Sequence, residues 1–242
     1  TKPIGLTGAT VMRVDSPFDY QHQALLHIPV PFPKPVDPNH SLEVAKLAAE
    51  GARRLGGRTL VLTTSLKALA VIGEEITQVL SGVSDIEVLL QGQWPKRRLM
   101  ERFRQGSDGG APGCVLVASA SFWEGFDVPG QALQLLVIDK LPFPSPGDPL
   151  VKARGTRLQA QGKNAFSDHS LPEAIVALKQ GAGRLIRHET DRGGLLIADN
   201  RLLSASYGRR ILAALPLMQQ IAQTEDFWDA LVSITTASTK AS

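Results

Sequence analysis

Short apolar runs recur along this chain, most of them separated by stretches with helical spacing. The runs cover residues 58–63 (RTLVLT), 86–90 (IEVLL), 114–118 (CVLVA), 133–138 (LQLLVI) and 195–198 (LLIA). None alternates apolar with polar residues, so each reads as a strand buried on both faces. The stretches around them predict helices over 42–55, 65–80, 95–105, 149–161 and 172–188, with further helices closing the chain. Asn39-His40-Ser41 offers a helix start and Gly56-Gly57 a stop. Buried strands alternating with helices leave few architectures open. The expected class is α/β: a doubly wound, mainly parallel sheet with helices on both faces.

The first forty residues differ in kind. Pro3, Pro17, Pro29, Pro31, Pro33, Pro35 and Pro38 each remove a backbone donor, so 1–40 reads as a proline-rich lead-in with one edge strand at 24–28. The main domain then spans 41–234, and the small polar tail 235–242 (TTASTKAS) reads as frayed. No internal repeat is visible. A single cysteine, Cys114, excludes a disulfide framework and a four-cysteine metal site within this chain, and a reducing cytoplasm is the default. No run approaches the roughly 18–20 apolar residues of a membrane span, and no signal segment opens the chain. The chain begins at Thr1, a weak hint of a fragment. The net charge of +3 permits nucleic acid as a partner without establishing it.

Open parallel sheets bind ligands beyond the carboxyl ends of their strands. Thr64 and Ser65 follow the first run, Ser119 and Ser121 to Asp127 follow the third, and Asp139 and Lys140 follow the fourth. Hydroxyls and amides at helix starts suit phosphate oxygens, although Thr64 and Ser65 also suit simple helix capping. No GxxxxGK[ST] phosphate loop, HExxH or GxSxG is present, and the histidines lack metal spacing. In the expected helix 172–188, Gln180, Arg184 and Arg187 stand at i, i+4 and i+7 and group on one face. They form either a phosphate-binding surface or a solvated polar face. Gly181 and Gly183 point to a close backbone approach or a displaced helix boundary. Lys96, Arg97, Arg98, Arg102 and Arg104 read as an auxiliary nucleic-acid path or as a solvated helix face. Trp123 suits base stacking or a core position. Trp94 and Trp228 read as structural, and Cys114 as a buried small residue.

Taken together, these blocks resemble superfamily 2 helicases. Gln180-Gly-Ala-Gly-Arg184-Leu-Ile-Arg187 is similar to the QxxGRxxR block, motif VI. Ser121-Phe-Trp-Glu-Gly-Phe-Asp127-Val-Pro-Gly130 resembles motif V of the DinG/YoaA and XPD-like branch, and Leu141 to Pro149 (LPFPSPGDP) that branch's next segment. Ser16-Pro-Phe18 resembles the opening of the second motor domain, and 58–69 stands where motif IV would. The resemblance implies a RecA-like fold and the second of two motor domains, with ATP in the cleft between them. It implies catalytic roles for Arg184, Arg187 and Gln180, nucleotide contacts for Glu124, Gly125, Asp127 and Gly183, and single-stranded DNA contacts for Thr64, Ser65, Ser119, Ser121 and Trp123. It further implies 5′→3′ polarity and DNA repair. ATP and Mg²⁺ would be shared with a first RecA-like domain of the same polypeptide, which would carry the iron–sulphur cluster. The expected partners are single-stranded DNA, that first domain, and replication or repair proteins, in a bacterial cytoplasm at the nucleoid and not at a membrane. The competing expectation is a non-catalytic RecA-like module that binds nucleic acid or a protein. An unrelated α/β enzyme ranks last, because no nucleophile–base pair stands at a strand end.

Overall fold

The computed structural model describes residues 17–119, 122 and 130–239. The chain runs α1 (Tyr20–Gln23), β1 (Ala24–His27), α2 (His40–Leu55), β2 (Thr59–Thr63), α3 (Leu66–Val79), β3 (Ile86–Leu90), α4 (Lys96–Gln105), β4 (Gly113–Ser119) and β5 (Leu135–Ile138). It continues through α5 (Pro149–Ala160), α6 (Leu171–Ala182), β6 (Gly193–Ile197), α7 (Arg201–Ser204), α8 (Gly208–Leu212), β7 (Gln219–Ile221) and α9 (Thr224–Thr239). The strands form one seven-stranded sheet in the order β3-β4-β2-β5-β6-β1-β7, every pairing parallel.

Alternation along each strand divides the core in two. Leu60, Leu62, Leu116, Leu136, Ile138, Leu195 and Ile197 face one side with Leu99 and Phe103 of α4 and Leu178 of α6. Val61, Val115, Val117, Leu135, Val137 and Leu196 face the other with Val44 and Ala48 of α2, Ile72 and Ile76 of α3, and Phe227 and Trp228 of α9. Each fully buried large apolar side chain stabilises the fold by about 1.5–3 kcal/mol. Local chemistry sets the boundaries. Gly56 closes α2 in the left-handed conformation, and the Ser65 side chain caps α3 by accepting from Ala68 N at 3.2 Å. Gly57 has φ +89°, and a Cβ there would stand 2.5 Å from the Cys114 nitrogen, so only glycine admits this approach of two neighbouring strands. Cys114 is buried, which pushes its thiol pKa up to about 11. Trp228 is fully buried, as expected.

Four expectations need correction. The strand at 24–28 is not an edge: β1 lies between β6 and β7, and the edge is β7, whose sequence QQI carries no apolar run. The tail is helical as far as Thr239, because α9 is packed through buried Phe227, Trp228, Leu231 and Thr235; the Thr235 and Thr236 hydroxyls donate back to the Leu231 and Val232 carbonyls. The helix expected over 172–188 ends at Ala182 with Gly183 as its cap, so Arg184 and Arg187 lie beyond it. The basic residues of α4 do not share one fate. Lys96, Arg97 and Arg98 are exposed at its first turn. Arg102 instead binds Glu87 at 2.7 Å and the Gly106 and Pro112 carbonyls.

Candidate functional site

The sequence-predicted residues separate to opposite ends of the sheet. Thr64, Ser65 and Ser119 stand at the carboxyl ends of β2 and β4. Gln180, Gly183, Arg184 and Arg187 belong to the connection that enters the amino end of β6.

At the carboxyl end, polar groups are tied across neighbouring strands. The Ser119 nitrogen and hydroxyl both donate to Gln91 Oε1, at 2.7 and 2.9 Å. The Thr64 nitrogen and hydroxyl donate to the two oxygens of Asp139, at 3.0 and 3.3 Å. Asp139 is buried, which raises its pKa from 3.8 to about 6; the nearby Lys140 charge and the bonds from Lys140 N and Thr64 pull the other way. One strand further, buried Asp199 accepts from Leu141 N at 2.9 Å and pairs with the Arg201 guanidinium. The first turn of α4 flanks this row. Lys96 lies over the Phe122 ring at 5.0 Å and Arg98 over Trp94 at 4.3 Å. Trp94 is thus half-buried against the core and also carries a cation. Ser65 spends its side chain as a cap, the plainer of its two readings.

At the amino end, a loop is held by tertiary contacts. Leu185 and Ile186 are buried and anchor it. A Cβ on Gly193 would stand 2.7 Å from Leu185 Cδ1, so the glycine at the start of β6 makes room for that anchor. Buried Asp191 accepts from the nitrogens of Arg187 and His188, at 2.8 and 2.9 Å. The Gln23 amide donates to the carbonyls of His188, Glu189 and Asp191, at 2.9, 3.0 and 3.2 Å. Gln180 is exposed on the last turn of α6, and Arg184 and Arg187 are half-buried beside it. A cleft of about 430 Å³ opens alongside, lined among others by Arg58, Arg104, Gln131, His188 and Asp191. Arg58 lies in the left-handed region, with φ 49°. Two arginines on a clamped loop can meet phosphate oxygens with little reorganisation. Among the described residues no group of three or more His, Cys, Asp or Glu could hold a metal ion. No helix among them is long and apolar enough to cross a membrane.

The family model described as "Helicase C-terminal domain" matches residues 49–218. The chain belongs to that family. The ATP-dependent DNA helicase YoaA of Escherichia coli is 40% identical over 216 residues, 89% of this chain and 32% of the relative. The ATP-dependent helicase DinG of Mycobacterium tuberculosis is 36% identical over 241 residues, 98% of this chain and 35% of the relative. The chain therefore spans about a third of the length of the curated relatives it matches. An XPD helicase structure superposes with a TM-score of 0.57 at 16% identity, covering 82% of this chain and 36% of that one. The fold is RecA-like, and the chain is a helicase C-terminal domain similar to those of YoaA and DinG.

In this helicase domain, Ser121, Trp123, Glu124, Gly125 and Asp127 lie outside the described residues. Four positioning residues escaped the sequence reading: Gln23, Gln91, Asp191 and Asp199. Asp191 accepts from amides three and four residues before it, the reverse of an Asx turn or a helix cap, so no turn motif marks it. Gln23 lies 165 residues from His188, and nothing local marks it.

Proposed function

We propose that this domain works as the second half of an ATP-dependent DNA helicase, with the two ends of its sheet serving different ligands. The amino end turns Arg184, Arg187 and Gln180 toward ATP. The carboxyl end carries single-stranded DNA on Thr64, Ser119 and the first turn of α4. The observation that carries this reading is the clamp on the arginine loop, in which Asp191 and Gln23 hold the backbone of 187–191 from both sides. Phosphoryl transfer spreads charge over the transferring oxygens, and a prepositioned arginine there is worth about 10³–10⁵ in rate. The donor set fits phosphate and not a metal, so Mg²⁺ and the β-phosphate would be held by the first RecA-like domain. That domain would also carry the iron–sulphur cluster. Glu124, Gly125, Asp127 and Gly183 would complete the nucleotide contacts, and Ser65, Ser121 and Trp123 the DNA track. Contacts through hydroxyls and amides set register without reading sequence. The 5′→3′ polarity, the role in DNA repair with replication or repair proteins, and the location at the bacterial nucleoid rest on the family resemblance.

The test is ATP turnover by the whole protein carrying Arg187→Ala or Arg184→Ala. Hydrolysis falls by about a thousandfold or more while single-stranded DNA is still bound. Unimpaired turnover in both variants overturns the assignment and leaves a non-catalytic binding module.

A further inference from the structure

The cleft at the amino end of the sheet holds a guanidinium with no counter-charge among the described residues. Its walls come from separate segments: Arg58 at the entry to β2, Arg104 in the last turn of α4, Gln131 in the turn before β5, and His188 and Asp191 in the loop entering β6. Arg58 is half-buried and forms no ion pair among the described residues. Its side chain donates to the Gln134 side-chain oxygen at a long 3.4 Å. Its backbone is also costly. Arg58 adopts φ 49°, a conformation that suits glycine, and Gly56 and Gly57 before it are left-handed as well. The strand pairing imposes this shape, since the Arg58 carbonyl accepts from Gln134 N at 2.8 Å and from Leu135 N at 3.1 Å. A third glycine would complete the turn without strain. What arginine adds there is its side chain in the cleft.

Arg104 brings a second guanidinium to the same lining. Of the two carboxylates in it, Asp191 is buried and turned to the Arg187 and His188 amides, and Asp108 is exposed. Two guanidiniums from different segments match the oxygens of one phosphate. The lining also includes neutral polar groups, the Gln105 and Gln131 amides and the Ser107 and Thr190 hydroxyls. Amides both donate and accept, as a base edge requires, and hydroxyls suit a sugar. The volume of about 430 Å³ lies in the range of small-molecule sites. Gln180, Arg184 and Arg187 are not among the lining residues, so this is not the surface proposed to face ATP.

We propose that this cleft binds a nucleoside monophosphate, with its phosphate between Arg58 and Arg104. A ligand there touches His188 and Asp191, which fix the backbone beyond Arg187, so its occupancy stiffens the arginine loop.

The experiment is calorimetric titration of the whole protein with AMP, GMP, CMP, UMP and inorganic phosphate, with the ATP site already filled by a non-hydrolysable ATP analogue. The best nucleotide binds at least about tenfold more tightly than phosphate and slows amide hydrogen exchange over 187–191. Arg58→Gly weakens it by about ten- to a hundredfold, the size of a lost charged hydrogen bond, yet melts no lower than the wild type because glycine suits the backbone at 58. Arg58→Lys keeps the charge and loses less. Failure of every nucleotide to bind, or binding that survives Arg58→Gly, overturns the site. Phosphate that binds as tightly as the nucleotides overturns the ligand class. Binding is read without turnover, so either result is independent of the roles of Arg184 and Arg187.

Discussion

The carboxyl and amino ends of this sheet are built by different means. At the carboxyl end each polar group follows its own strand directly and is tied to the neighbouring strand, Thr64 to Asp139 and Ser119 to Gln91. At the amino end Arg184 and Arg187 lie on a loop with no regular structure, and its shape is imposed by a carboxylate and an amide, Asp191 and Gln23. The first arrangement is a row of contacts between adjacent strands. The second is a clamp closed locally by Asp191 and, across 165 residues of sequence, by Gln23. A surface that tracks a uniform backbone needs only the row, whereas a charge that must meet a transferring phosphoryl group needs fixed geometry.

The sharpest break between the ends is functional. Arg187→Ala lowers ATP turnover of the whole protein by about a thousandfold or more and leaves single-strand affinity intact. Parallel loss of both would mean that the ends do not work separately. The next effect is a pH dependence confined to the carboxyl end. Asp139 has a folded pKa of about 6, above its ordinary 3.8. The folded state therefore holds that proton more tightly, and the stability it confers is present below pH 4 and lost as pH rises through 6. Asp139→Asn does not titrate. Its stability relative to the wild type improves by about 2–3 kcal/mol between pH 4 and pH 7, as read by denaturant unfolding.

Smaller is the cost of opening the clamp. Asp191→Ala strands the nitrogens of Arg187 and His188 and destabilises the fold by about 2 kcal/mol, with ATP turnover falling further than DNA affinity. Asp191→Asn keeps one acceptor and loses less. Smallest is the double change Thr64→Val and Ser119→Ala, which removes two hydroxyls from the row. Equilibrium titration should find single-strand affinity reduced roughly three- to tenfold, with turnover at saturating DNA unchanged.

The two ends also differ in how far they can be read from residues alone. Strands β2, β4 and β5 are marked by apolar runs, and the polar residues that follow them are found by counting. β7 is not, because an edge strand pairs on one side and QQI has no apolar face to bury. The helical grouping of Gln180, Arg184 and Arg187 failed for a local reason: the helix stops at Gly183, and the periodicity that seemed to align the arginines ends with it. The helical geometry expected for them is not what the loop adopts.

Residue order alone determined the α/β class, the strands with apolar runs, the capping of α3 by Ser65, and the chemistry available at each end. These follow from burial periodicity and from contacts within a few residues, which a linear reading contains. The tertiary structure alone decided that β1 lies inside the sheet, that hydroxyls and arginines stand at opposite ends of it, and that the loop 188–191 after Arg187 is held by Gln23. Those outcomes depend on which distant segments meet when the two faces of the sheet are buried together, and no local pattern encodes them.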